Sequence, residues 1–225
     1  SGVHNFYFDP DQTFEAPFST DRLNFVFTGT MDYPPNIDAV CWFVQAILPI
    51  IRQTAPDAQF HVVGSSPAPG VVALAATQGV FVTGRVPDVR PYLAHPTAGV
   101  APMRIARGIQ NKVLESMAMA RPTVLTSDAL TGIDATPGVD VLLADTPEEW
   151  REALRELIES PERRRALGEG AHADARRRHT TTAQATEVYS VMRDHYRAVT
   201  PEQANKRLRI NWVVDHVSDG AQSEQ

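Results

Sequence analysis

At 225 residues, 43% of them hydrophobic and 21% charged, the chain has the composition of a folded domain rather than of a disordered segment. It is long enough to bury a core without disulfide or metal staples. A net charge of −6 argues against a general nucleic-acid binder, and one cysteine, Cys41, excludes an internal disulfide and suits a reducing, cytoplasmic compartment.

Residues 1–21 carry turn formers and scattered aromatics without a period, and read as an entry segment. No Met precedes Ser1 and no signal peptide opens the chain, so the expectation is a domain cut from a longer protein. Short apolar runs then alternate with helical patterns. "LNFVFTG" (23–29) reads as a buried strand ending in glycine. From Asn36 the apolar positions Ile37, Val40, Cys41, Val44, Ile47, Leu48 and Ile51 recur at helical spacing, with Asn36 as N-cap and Asp38 in the first turn. This is the most apolar stretch of the chain. It is too short to span a bilayer and is interrupted by Gln45 and Pro49, so it reads as core, Cys41 included.

"QFHVVG" (59–64), "GVFVTG" (79–84), "AGVAP" (98–102), "PTVLTS" (122–127) and "DVLLA" (140–144) supply five further strands. Helices are expected over 88–93, 110–119 and 147–159. Strand and helix repeated at this spacing predict an α/β fold: a doubly wound, Rossmann-like sheet of six parallel strands with flanking helices. In such a fold ligands lie beyond the carboxyl ends of the strands, where "GTMDYPP", "GSSPAPG", "GRVPD" and "PMRIARG" would gather.

Residues 161–198 read as helical, with "ERRRALGEGAHADARRRH" strongly basic. A solvated face explains that charge, and peripheral contact with an anionic membrane surface is the sharper alternative. The boundaries that follow are an entry segment over 1–21, a ligand-binding domain over 22–198 and a tail over 199–225. In the tail, "RLRINWVVDHV" suits packing on the body and "SDGAQSEQ" suits disorder.

Neither G-x-G-x-x-G nor a Walker sequence is present, which excludes the common dinucleotide and P-loop sites. The seven histidines contain no i,i+4 pair and no H-E-x-x-H, so no metal centre and no cofactor is expected. "DPD" at Asp9–Asp11 superficially resembles a metal-holding carboxylate pair, but it precedes the first strand and reads as a turn.

One stretch is harder to reduce to scaffolding: "RIARGIQNKVLESMAMARPTV" (104–124). If "AGVAP" is a strand, 103–109 form its carboxyl-end loop and Asn111 opens a helix whose N–H groups and partial positive charge suit a phosphate. Lys112 in that first turn opposes the helix dipole unless an anion compensates, and Glu115 shares its face. A cation for a diphosphate and a carboxylate for vicinal hydroxyls are what a nucleotide-sugar donor requires, and Gly108 lets backbone approach a ligand. The alternative is an exposed Lys–Glu pair worth a few tenths of a kcal/mol. From local chemistry the two stand level.

The segment "RGIQNKVLESMAMARPTVLTS" closely resembles the donor-site helix of retaining GT-B glycosyltransferases of group 1 (family 4). "SGVHNFYFDP" resembles the interdomain hinge of that family, and "FTGTMDYPPNIDAVCWF", "FHVVGSSP" and "VFVTGRVPDVRPYLAHPTAGVAP" resemble successive units of its C-terminal domain. More narrowly, "RIARGIQNKVLE" is similar to sugar transferases of bacterial exopolysaccharide and exosortase systems. The resemblance implies a Rossmann-like half of a GT-B enzyme. It would bind a nucleotide diphosphate sugar and pass the sugar, with retention, to a carbohydrate or lipid-linked acceptor held by an N-terminal domain absent from this chain.

By the same resemblance, Glu115 would meet the donor ribose and Lys112 the diphosphate, with Arg104 as a second phosphate clamp. Arg85 and Val86 would meet the base, Gly29 and Thr30 the phosphates, and Gly108 and Ile109 would belong to the donor loop. Arg107 occupies the position of the first glutamate in the family's E-x7-E signature, and Arg121 stands where glycine is common. The competing expectations are a nucleotide-sugar epimerase of the same fold and a non-catalytic nucleotide-binding module.

Overall fold

The computed structural model describes residues 7–178. The residues before Tyr7, the second half of the helix expected over 161–198, and the tail lie outside that range.

Six strands form one parallel sheet in the order β3-β2-β1-β4-β5-β6. They are β1 (Asn24–Thr28), β2 (Gln59–Val63), β3 (Val80–Gly84), β4 (Ala98–Ala101), β5 (Thr123–Leu125) and β6 (Leu142–Leu143). This is the doubly wound sheet that the alternation predicts, and every ladder is parallel. The strand order reverses beside β1, the usual position of a ligand crevice. The central strands read as near-continuous apolar runs because both faces are covered; all five residues of β1 are buried. β5 and β6 are shorter than their sequence runs because ladder pairing stops at Leu125 and Leu143.

On one face Phe25, Phe27, Phe60 and Val62 pack against a helical layer. That layer begins with α1 (Pro34–Trp42), continues through a single π turn (Phe43–Ile47), and ends with α2 (Leu48–Ile51). The π turn has a local cause: Pro49 cannot accommodate the carbonyl four residues back, and the Leu48 N–H reaches Phe43 O instead. By length and composition Pro34–Ile51 passes as a membrane span, contrary to the expectation that it is too short. Its apolar side chains, however, are used within the fold: Ala39, Val40, Phe43, Ile47 and Leu48 are fully buried against the sheet. α7 (Pro147–Glu159), which agrees with its sequence prediction to the residue, adds Trp150 and Leu154 to this core. Thr146 and Glu149 form a capping box at its start.

The second face carries Val26 and Val63. It is closed by Leu93 and Ala94 of α4 (Arg90–Ala94) and by Phe8, Phe14 and Phe18 of the leading segment. Residues 7–23 contain no helix or strand, yet their aromatics cover this face.

Three local expectations need correction. The first helix begins at Pro34, with Pro34 and Pro35 in its first turn, so Asn36 is inside the helix and is not its cap. α4 starts at Arg90 because the Asp88 carboxylate accepts the Arg90 N–H and holds Asp88 outside the helix. The β2–β3 crossover contains α3 (Pro69–Ala73) and a 3-10 turn (Leu74–Ala76), although Pro67, Pro69 and Gly70 suppress any helical period there. The remaining helices are α5 (Asn111–Ala118), the one-turn α6 (Ser127–Leu130) and α8 (Pro161–Arg178).

Candidate functional site

The carboxyl ends of β1, β2 and β3 are tied to one another by backbone bonds. Gly29 N–H donates to Val63 O at 3.1 Å, Met31 N–H to Ser65 O at 2.8 Å, and Gly64 N–H to Gly84 O at 3.2 Å. Only glycine fits at position 64: its φ is +150°, and a β-carbon would sit 1.6 Å from Gly29 O. At Gly29 a β-carbon would lie 2.7 Å from the Asn36 amide nitrogen. The two glycines hold these loops close to the sheet and leave space above it.

That space is a cleft of about 700 Å³. Its floor and walls include Gly29, Thr30 and Asn36 after β1, Gly64 to Ser66 after β2, Arg85, Val86 and Val89 after β3, and Asn111, Lys112 and Glu115 of α5. Six of the nine residues expected at the site therefore share one cleft: Gly29, Thr30, Arg85, Val86, Lys112 and Glu115. α5 enters through Gln110, whose side chain does not cap the helix; the Val113 N–H donates to Gln110 O at 3.0 Å, and the Asn111 and Lys112 N–H groups are left for solvent or an anion.

Lys112 is the most constrained cation of the site. Its ammonium donates to Asn36 Oδ1 at 3.0 Å and Gln110 Oε1 at 3.2 Å, and lies 5.0 Å above the Phe27 ring. Both acceptors are neutral amides. Burial pushes its pKa down to about 8, against the attraction of Glu115. Burial likewise pushes Glu115 up, with Lys112 opposing. Among the described residues these two side chains are not within ion-pair distance of each other or of any other charge. The alternative of an exposed Lys–Glu pair does not describe them: both are partly buried and held apart.

Arg104 has a different environment. Its guanidinium binds Asp38 of α1 twice, through Nε to Oδ2 at 3.0 Å and through Nη2 to Oδ1, and it lies 5.3 Å from the Trp42 ring. Its side chain is half exposed and does not line the cleft. Gly108 (φ 68°) and Ile109 form the turn before α5, also outside the lining. Arg107 is exposed and has no hydrogen bond or ion pair among the described residues. The left-handed residue after α5 is Ala120 (φ 54°), so the position that favours glycine lies one residue before Arg121.

The sequence reading missed Asn36, Ser65, Ser66 and Asn111. Ser66 is held at φ 55°, unusual for a residue with a side chain, at the cleft rim. The signal for Asn36 was available in the double proline preceding it, which places it in the first turn rather than at the cap. Among the described residues, no three His, Cys, Asp or Glu side chains gather to hold a metal ion.

The family description "Glycosyl transferases group 1" matches residues 22–160. No curated protein matches the chain in sequence. Among solved structures, sucrose-phosphate synthase from Thermosynechococcus elongatus superposes with a TM-score of 0.67 at 16% identity, covering 88% of this chain and 52% of that one. Anabaena HepE in complex with UDP and glucose gives 0.62 at 13%, covering 76% and 48%. The C-terminal domain of a glycosyl transferase group 1 family protein, LpcC from Francisella tularensis, gives 0.61 at 13%, covering 80% of this chain and all of that one. The chain thus spans about half the length of the first two.

Proposed function

Since the chain belongs to the group 1 glycosyl transferases, of GT-B fold, we propose that its cleft holds the nucleoside diphosphate of a sugar-nucleotide donor. The activity served would be transfer of the sugar, with retention, to a carbohydrate or lipid-linked acceptor. The supporting observation is the Lys112 ammonium: partly buried at the amino end of α5, held by amides and paired with no carboxylate. Such a cation lacks its counter-ion, and a diphosphate supplies one. The complexes of HepE with UDP and glucose agree with this reading.

In this account the glycosidic C–O bond breaks as negative charge develops on the departing diphosphate. Lys112 and the first-turn N–H groups of α5 are already in place to stabilise that charge. Glu115, pushed toward neutrality by burial, gains partners from the ribose hydroxyls. Arg85 and Val86 border the base at the far wall. Arg107 stands where the family has a glutamate, and a guanidinium in place of that carboxylate would change which sugar substituents are favoured. Arg104 contributes indirectly, by fixing α1 through Asp38. The protein's own cations carry the leaving-group role without a metal ion, so chelation with EDTA leaves donor binding unchanged.

The acceptor would be met on the open side of the cleft, on a second domain. The reaction would run in the cytoplasm, where sugar nucleotides are available, with polysaccharide synthesis as its context. The basic α8 is the surface suited to peripheral membrane contact.

Calorimetry with uridine, guanosine and adenosine diphosphates tests the reading. One of them binds saturably at pH 7, and the heat is lost in Lys112→Ala. Failure of all three to bind contradicts it.

A further inference from the structure

The sequence contains two lysines, Lys112 and Lys206, among 21 lysines and arginines. One of these rare lysines is in the cleft, and its nearest acceptor is Asn36 of α1. Asn36 is itself buried, 4% exposed. Its amide is used at both ends: Nδ2 donates to Thr30 O at 2.9 Å, and Oδ1 accepts from Lys112 at 3.0 Å. An ammonium can only donate and a carbonyl can only accept, so a single amide orientation satisfies both bonds. Gly29 seals the arrangement, since a β-carbon there would strike the same amide nitrogen at 2.7 Å.

We infer that Asn36 is the positioning residue for Lys112: it fixes the ammonium relative to the Gly29–Thr30 loop and solvates it with a neutral dipole, so that its charge remains uncompensated until a diphosphate arrives. The inference rests on the donor-site reading above and extends it to a residue that acts through Lys112.

The choice of amide over carboxylate is the physical point. An aspartate at position 36 would place a charge 3 Å from the ammonium and pre-pair it, as Asp38 pre-pairs Arg104. The competing anion would then have to displace an internal partner. A hydrocarbon at position 36 would leave the ammonium desolvated with one acceptor fewer, and would favour the neutral amine. Asparagine avoids both outcomes. The other charged groups sharing the cleft are Glu115 on the same helix and Arg85 on the opposite wall. Asp38 of α1 is occupied by Arg104. β1, the loop after β2, and Met103 and Gln110 present uncharged groups, so substitution at position 36 changes the field at Lys112 directly.

The test is a titration of the full-length chain without nucleotide, carrying lysine labelled with 13C at Cε and followed by NMR. Lys206→Arg identifies the Lys112 signal. In the unsubstituted chain Lys112 titrates well below the ordinary lysine range, near 8. In Asn36→Asp its midpoint rises by about one unit or more, and in the isosteric Asn36→Leu it falls. A residue with only a scaffolding role would change the melting temperature of both variants without shifts of opposite sign. A Lys112 midpoint in Asn36→Asp that stays within about half a unit of the unsubstituted value, or one that falls, overturns the inference. Because no nucleotide is present, this result is independent of the calorimetric test: failure of every diphosphate to bind would sink the donor reading and leave the titration as it stands.

Discussion

Arg104 and Lys112 come from one stretch of chain and were both expected to meet phosphate, Arg104 as the second clamp, yet the fold treats them in opposite ways. Arg104 projects outward, half exposed, and has its carboxylate in Asp38. Lys112 is drawn into the cleft, where only uncharged groups meet it: two amides, the Met103 sulfur and the Phe27 ring. An exposed, pre-paired guanidinium has little to gain from a further anion and contributes little to stability. A desolvated, unpaired ammonium costs stability in the empty protein and gains on binding. The position of a cation in a loop is therefore a weak guide to its role; which partner it already has is the stronger one.

The largest effect expected from this contrast is on donor affinity. Lys112→Ala weakens binding of the preferred nucleoside diphosphate about a hundredfold by calorimetry, because the diphosphate loses its main buried counter-charge. Glu115→Ala lowers the same affinity about tenfold, and the loss disappears when the corresponding 2′,3′-dideoxynucleoside diphosphate is the ligand.

The contrast also predicts a change in stability. Folding lowers the pKa of Lys112 to about 8, so the charged form is disfavoured in the native state. That cost is fully present below about pH 8 and fades as the pH rises toward the ordinary lysine range. Lys112→Met accordingly stabilises the chain at pH 7 by about 1–3 kcal/mol in denaturant melts, with a smaller gain at pH 9.5. Destabilisation at pH 7 would mean that the ammonium is satisfied where it is. Arg104→Ala has the smallest effect: under about threefold on diphosphate affinity, and within about 1 kcal/mol on stability.

Much of the fold was legible from sequence because it follows from periodicity. The continuous apolar "FVF" within "LNFVFTG" reads as a strand covered on both faces, and the helical pattern from Pro147 to Glu159 gave the bounds of α7. Elements whose causes are tertiary were not legible. α3 forms in spite of Pro67, Pro69 and Gly70, and the π turn reflects Pro49 meeting a carbonyl of the preceding turn. At the site, Lys112 and Glu115 were readable because a helix beginning at Asn111 fixes their common face. The resemblance to the family supplied Arg85, Val86, Gly29 and Thr30. Arg104 could not be resolved in advance, since Asp38 reaches it from another helix and no local pattern reports such a partner. Asn36 was misread for a more avoidable reason: two prolines pre-set the first helical turn and moved the cap back to Tyr33.

The central claim is that an uncompensated ammonium at Lys112 receives the donor diphosphate. It is tested most directly by following nucleoside diphosphate affinity from pH 7.5, where the ligand is fully ionised, to pH 9.5. The account predicts a plateau up to about pH 8 and then a fall approaching tenfold per unit, as the amine loses its proton. An affinity that stays level across that range would show that the charge of Lys112 does not hold the ligand, and would contradict the account.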